Sequence, residues 1–108
     1  MDAQRRQLNI KTGVVNRLHK ELQVYREEAK KTEAEIKKLE EGEADEYEVR
    51  QQRRILAESE RMIPDAEQRL AQALGDLEDM LESAEDTEAS ESEAYKKAIA
   101  ALKLARPQ

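Results

Sequence analysis

VNRLHKELQVYREEA, residues 15–29, places Val15, Leu18, Leu22, Tyr25 and Ala29 at alternating steps of three and four. On a helix that spacing gathers the apolar side chains into one narrow stripe, which is stable only against a partner helix. The stripe continues through Thr32, Ile36 and Leu39. A second one runs Val49, Leu56, Ile63, Leu70, Leu77 and Ala84 at steps of seven, with Ser59, Ala66, Ala73 and Met80 between. The expected fold class is all-α: an elongated antiparallel three-helix bundle with coiled-coil-like packing.

Composition agrees with this pattern. Ala, Glu, Lys, Leu and Arg make up 64 of 108 residues, the bias of long helices. Leu, Ile and Val total only 20, with no Phe, a thin apolar supply of the kind found in disordered chains. The net charge is only −6 and the apolar residues are periodic, so a folded but slender core is expected. Absence of cysteine removes disulfides, thiolate metal sites and a cysteine nucleophile. No apolar run follows Met1-Asp2-Ala3, and the longest, Ala98 to Leu102, is far short of a span. Neither a secretory signal nor a membrane segment is expected, and a cytoplasmic address follows.

The boundaries are set by caps. Helix 1 is expected over about 4–41, with Gly42 as a left-handed stop. Asp45 and Glu48 offer a capping box for helix 2, over about 46–84. Pro64 removes a backbone donor within that span, yet Leu56, Ile63, Leu70 and Leu77 keep step across it. A single helix kinked at Pro64 is therefore expected rather than two helices joined by a loop. Ser90 with Glu93 offers a second box for a shorter helix 3, over about 90–106, carrying Tyr95, Ala98, Ile99, Leu102 and Ala105. Residues 1–108 read as one domain. Helix 3 is expected to cover Leu74 and Leu81 of helix 2 and Ile10 and Val14 of helix 1. Thr32 and Gln52 mark a thinner two-helix end.

Charge is uneven: +2 over residues 1–41 and −8 over 42–108. The basic half can steer an acidic partner. Nucleic acid is not expected, because bases alternate with acids and lack aromatic platforms. His19 has no cysteine partner for zinc. The stretch Asp86–Ser92 fails as a calcium loop, with Glu91 at the turn position and Lys97 at the twelfth. Paired carboxylates need a desolvating cleft to catalyse, which a slim bundle lacks. No enzyme activity, cofactor or metal is expected.

Three features have no folding explanation in the sequence. Gly13 lies mid-helix on the outward side, where glycine costs roughly 1 kcal/mol relative to alanine; it is a tolerated surface glycine or admits a partner backbone. Ile55 and Met62, seven apart, either widen the two-helix core or form an exposed apolar contact. Pro64 and Asp65 lie beside them.

Ile10-Lys11-Thr12-Gly13-Val14-Val15, Arg17-Leu18, Lys20-Glu21, Tyr25 and Glu28-Ala29 resemble the opening of the tubulin-binding cofactor A family. Ile55-Leu56, Glu58-Ser59, Met62-Ile63-Pro64-Asp65 and Arg69-Leu70 are similar to its central signature. The likeness runs from about Leu8 to Leu104, with gaps at residues 30–46 and in the acidic run. One departure stands out: the family pattern Glu-Ser-Arg-Met-Met-Ile-Pro-Asp is here Glu58-Ser59-Glu60-Arg61-Met62-Ile63-Pro64-Asp65. The resemblance implies a three-helix bundle and a non-catalytic chaperone that captures quasi-native β-tubulin released from the chaperonin, before αβ-dimer assembly. It implies no nucleotide or metal, a monomer or homodimer, and a cytoplasmic, cytoskeleton-associated setting. The contact residues it suggests are Lys11, Gly13, Arg17, Lys20 and Tyr25 on helix 1, and Glu58, Ser59, Met62, Asp65 and Arg69 on helix 2. Tyr25 also lies on the seam, where a core role is the first expectation; Lys20 and Arg69 read equally as ordinary solvated helix residues. The alternative function is a structural homodimeric coiled-coil adaptor unrelated to tubulin, set in register by Thr32 and Gln52.

Overall fold

The seams become helices. The computed structural model describes residues 2–43 and 45–107; Met1, Ala44 and Gln108 lie outside the described residues. Helix α1 spans Asp2–Glu41, α2 spans Glu46–Ala84, a 3-10 turn spans Glu88–Glu91 and α3 spans Glu93–Ala105. The described residues contain no strand.

Local hydrogen bonds explain three of the boundaries, each in a way that departs from expectation. Gly42 does not adopt a left-handed conformation; its amide donates to the Leu39 carbonyl at 3.3 Å, a 3-10-type closure of the last turn. Asp45 caps α2 by accepting from the Tyr47 amide at 3.1 Å, two residues on, rather than through a box with Glu48. Helix α3 starts from Ser92, not Ser90. The Ser92 hydroxyl accepts from the Tyr95 amide at 3.2 Å and donates to the Ala89 carbonyl at 2.6 Å. Ser90 is instead held in the 3-10 turn, which Thr87 caps through the Ala89 amide. Thr87 and Ser92 both have extended backbone and both cap, Thr87 the 3-10 turn and Ser92 (φ −79°, ψ 159°) the helix α3.

Helix α2 continues through Pro64 as one helix. The loop alternative is set aside. The physical reason is the unbroken seam: packing on both sides of the proline compensates for the donor it lacks.

Contacts gather the chain into two compact units, Met1–Lys20 with Gln68–Gln108, and Glu21–Glu67. In the first, three helical segments share a core. Leu8, Thr12, Val15 and Leu18 of α1 are buried together with Leu70, Leu74, Leu77 and Leu81 of α2. Helix α3 contributes Leu102 and four small side chains, Ala94, Ala98, Ala101 and Ala105, that allow backbones to approach closely. Each fully buried leucine stabilises by about 1.5–3 kcal/mol, so the leucines of α1 and α2 carry most of this core. The ion pair Lys11–Asp76 at 3.3 Å ties α1 to α2 here, and Arg106–Glu78 at 3.1 Å ties the end of α3 to α2. Leu74 and Leu81 are buried, and Val14 is half-buried. Ile10 is a correction: it is 53% exposed, because Leu8 and Thr12 take the inward positions on either side of it.

The second unit is an antiparallel hairpin of two helical segments. Leu22, Ala29, Thr32 and Ile36 of α1 are buried, as are Ser59 and Ala66 of α2. Tyr25, Leu39, Val49, Gln52, Leu56 and Ile63 are only half-buried, since two helices cover one stripe each and no more. The buried Thr32 hydroxyl donates to the Glu28 carbonyl at 2.8 Å, so its polarity is satisfied within α1. Arg26–Glu67 at 3.1 Å and Arg53–Glu40 pair the two helices across the seam.

Candidate partner-binding surfaces

In the hairpin unit, successive turns of α1 and α2 enclose a shallow open depression of about 390 Å³. Tyr25 and Glu28, three apart on α1, form one wall; Ile55, Glu58, Ser59, Arg61 and Met62 on α2 form the rest. The spacing of 55, 58, 59 and 62 is what puts these α2 side chains on adjoining turns of one flank. Four of the residues expected to touch a partner meet here: Tyr25, Glu58, Ser59 and Met62. Ser59 is placed differently from its expected role, however. It is 8% exposed and forms the floor, not a protruding contact. Ile55 and Met62 remain 47% and 44% exposed, so the expectation that they widen the core is corrected; they are the exposed apolar pair. Asp65 is exposed on the next turn of α2.

Glu28 and Arg61 complete the depression and were not among the expected contacts. Glu28 follows Tyr25 by three, a spacing that could have signalled it. Arg61 stands where the resembled family pattern has methionine, so in this chain the rim carries a cation in place of an apolar side chain. Among the described residues Glu28, Glu58 and Arg61 form no ion pair.

The remaining expected contacts lie in the other unit. Gly13, Arg17 and Lys20 follow steps of four and three on α1 and are all exposed, as is Ile10 one turn before them, which was not among the expected contacts. A Cβ added at Gly13 would meet nothing within 4 Å, so no neighbour within the chain demands glycine there. Lys11 is offset from this stripe. Its side chain is 24% exposed and committed to Asp76. Arg69 is exposed on α2. His19 is half-buried. Among the described residues no three His, Cys, Asp or Glu side chains are grouped to hold a metal ion, and no helix is long and apolar enough to cross a membrane. What both surfaces offer is contact: an apolar recess with acidic flanks in one unit, a basic stripe in the other.

The model of the family described as Tubulin binding cofactor A matches residues 3–102. Tubulin-specific chaperone A of Mus musculus is 46% identical over 101 residues, covering 94% of this chain and 92% of the relative. Tubulin-folding cofactor A of Arabidopsis thaliana is 40% identical, covering 88% of this chain and 87% of its own. Among solved structures, human tubulin chaperone cofactor A superposes with a TM-score of 0.82 at 42% identity, covering 94% and 96% of the two chains. The crystal structure of tubulin folding cofactor A from Arabidopsis thaliana gives 0.90 at 35% identity over both whole chains. These matches set aside an adaptor of unrelated ancestry.

Proposed function

This chain belongs to the tubulin binding cofactor A family, and on that premise we propose that it is a tubulin-folding cofactor whose client is β-tubulin. It acts without catalysis, holding the quasi-native subunit released from the chaperonin until the αβ dimer is assembled. The observation that carries this reading is the family match along nearly the whole chain. The surface chemistry is in keeping with it. A holdase must bind and then release, so contacts rich in charge and poor in apolar area suit it better than a large greasy interface.

The contacts assigned to this role are Lys11, Gly13, Arg17, Lys20 and Arg69 in one unit and Tyr25, Glu58, Met62 and Asp65 in the other, with Ser59 beneath them. Other tubulin-folding cofactors are the next partners in line, and the working form is a monomer or homodimer in the cytoplasm, associated with the cytoskeleton. The role requires no metal or nucleotide.

A binding assay with purified β-tubulin subunit, and with assembled microtubules as the comparison, tests the reading. The expected result is a soluble complex with the free subunit and none with microtubules. Substituting Arg17→Glu and Lys20→Glu together is expected to slow association and to flatten its salt dependence. Equal binding to microtubules and free subunit would refute the role.

A further inference from the structure

We infer that the depression between Tyr25 and Met62 is an anchoring pocket for one apolar side chain that tubulin presents next to a lysine or arginine. The inference rests on the tubulin-capture reading and says which part of the surface supplies the hold. Three observations carry it. Ile55 and Met62 stand about half in water two turns apart on one flank of α2, an exposed apolar pair that the helix hairpin does not cover. The buried hydroxyl-bearing Ser59 lies beneath them, so a side chain entering between them reaches a floor and not open solvent. On the rim, Glu28 and Glu58 outnumber Arg61 and form no ion pair among the described residues.

The charges select the occupant. A partner seated on the recess removes water from two carboxylates, and burying an uncompensated charge costs far more than an apolar contact returns. A client bringing only an apolar side chain is therefore disfavoured. One that brings a cation beside it satisfies the rim while its apolar neighbour displaces water from Ile55 and Met62. Anchors of this kind, an apolar core ringed by polar groups, concentrate binding energy in a few residues. Arg61 limits the preference, since it repels the same cation and leaves a net rim charge of only −1.

Titration of the full chain with purified β-tubulin subunit, read by fluorescence anisotropy at low and high salt, tests the pocket. Two double variants are compared with wild type: Ile55→Asp with Met62→Asp, and Glu28→Lys with Glu58→Lys. All four positions are exposed, and circular dichroism checks helicity; Ile55→Ser with Met62→Ser replaces the first pair if helicity falls. Each double variant is expected to raise Kd about tenfold or more. The loss from the lysine pair shrinks at high salt, whereas the loss from the aspartate or serine pair persists. Binding within about twofold of wild type by either double variant overturns the pocket and leaves tubulin capture standing. Absence of a complex with the wild-type chain overturns both.

Discussion

Lys11 Nζ lies 3.3 Å from Asp76 Oδ2 and joins α1 to α2 inside the unit that also contains α3. A lysine that looks from its neighbours like part of a basic face is thus half-withdrawn into an intramolecular pair. Exposed pairs contribute about 0.2–1 kcal/mol; this one, with the lysine stem largely covered, belongs at the upper end. Lys11→Glu would set two carboxylates against each other. We expect a loss of about 1 kcal/mol in stability, recovered by adding Asp76→Lys, measured by urea denaturation. A cycle with no recovery would show that the pair does not couple the helices.

Gly13→Ala separates folding from contact. Space exists for the new methyl group and alanine is the better helix former, so stability should rise by about 0.5–1 kcal/mol. If a partner backbone closes on this position, β-tubulin affinity falls in the same variant. A stabilised protein with unchanged affinity removes Gly13 from the contact surface.

Leucine truncation should report the two environments plainly. Leu77 is fully buried and Leu104 is 69% exposed. Leu77→Ala is expected to cost about 2–5 kcal/mol through lost burial and a residual cavity. Leu104→Ala should change stability by no more than about 0.5 kcal/mol. Thermal unfolding followed at 222 nm distinguishes the pair, and similar costs would contradict the assigned core.

Pro64 is exposed within a continuous helix. Pro64→Ala restores the missing donor and removes the ring's clash with the preceding turn, terms worth up to about 3 kcal/mol in an ordinary helix. We expect a raised Tm. A lowered Tm would mean that the surrounding side chains are packed to a bend that proline imposes.

The seam was readable because helix–helix burial repeats every seven residues: Val15, Leu22, Ala29 and Ile36 are buried on α1, and Leu70, Leu77 and Ala84 on α2. What three-four spacing does not report is a third neighbour. Leu8 continues the Val15 seam seven residues earlier, whereas Thr12 lies one position off that stripe and is buried too, while Ile10 is not. Caps are ambiguous for a related reason. Thr87, Ser90 and Ser92 are chemically alike, and only the surrounding turn settles which one opens α3. The recess was half readable. Tyr25 and Ser59 belong to the seams, Ile55 and Met62 to a flank, and a periodic pattern assigns faces without showing that two faces on different helices leave a gap. Glu28 and Arg61 entered through that gap.

Helix α3 meets the core through Leu102 and four alanines, Ala94, Ala98, Ala101 and Ala105, and this restricts how the sequence can drift. At Ala98, wholly enclosed, one added methyl group has nowhere to go except by prising the helix away from its neighbours. Such positions accept little beyond glycine or serine, whereas Lys97 and Lys103, exposed beside them, are open to wide substitution. The shortest helix is therefore expected to vary freely on its outer side over generations while its inner edge stays frozen.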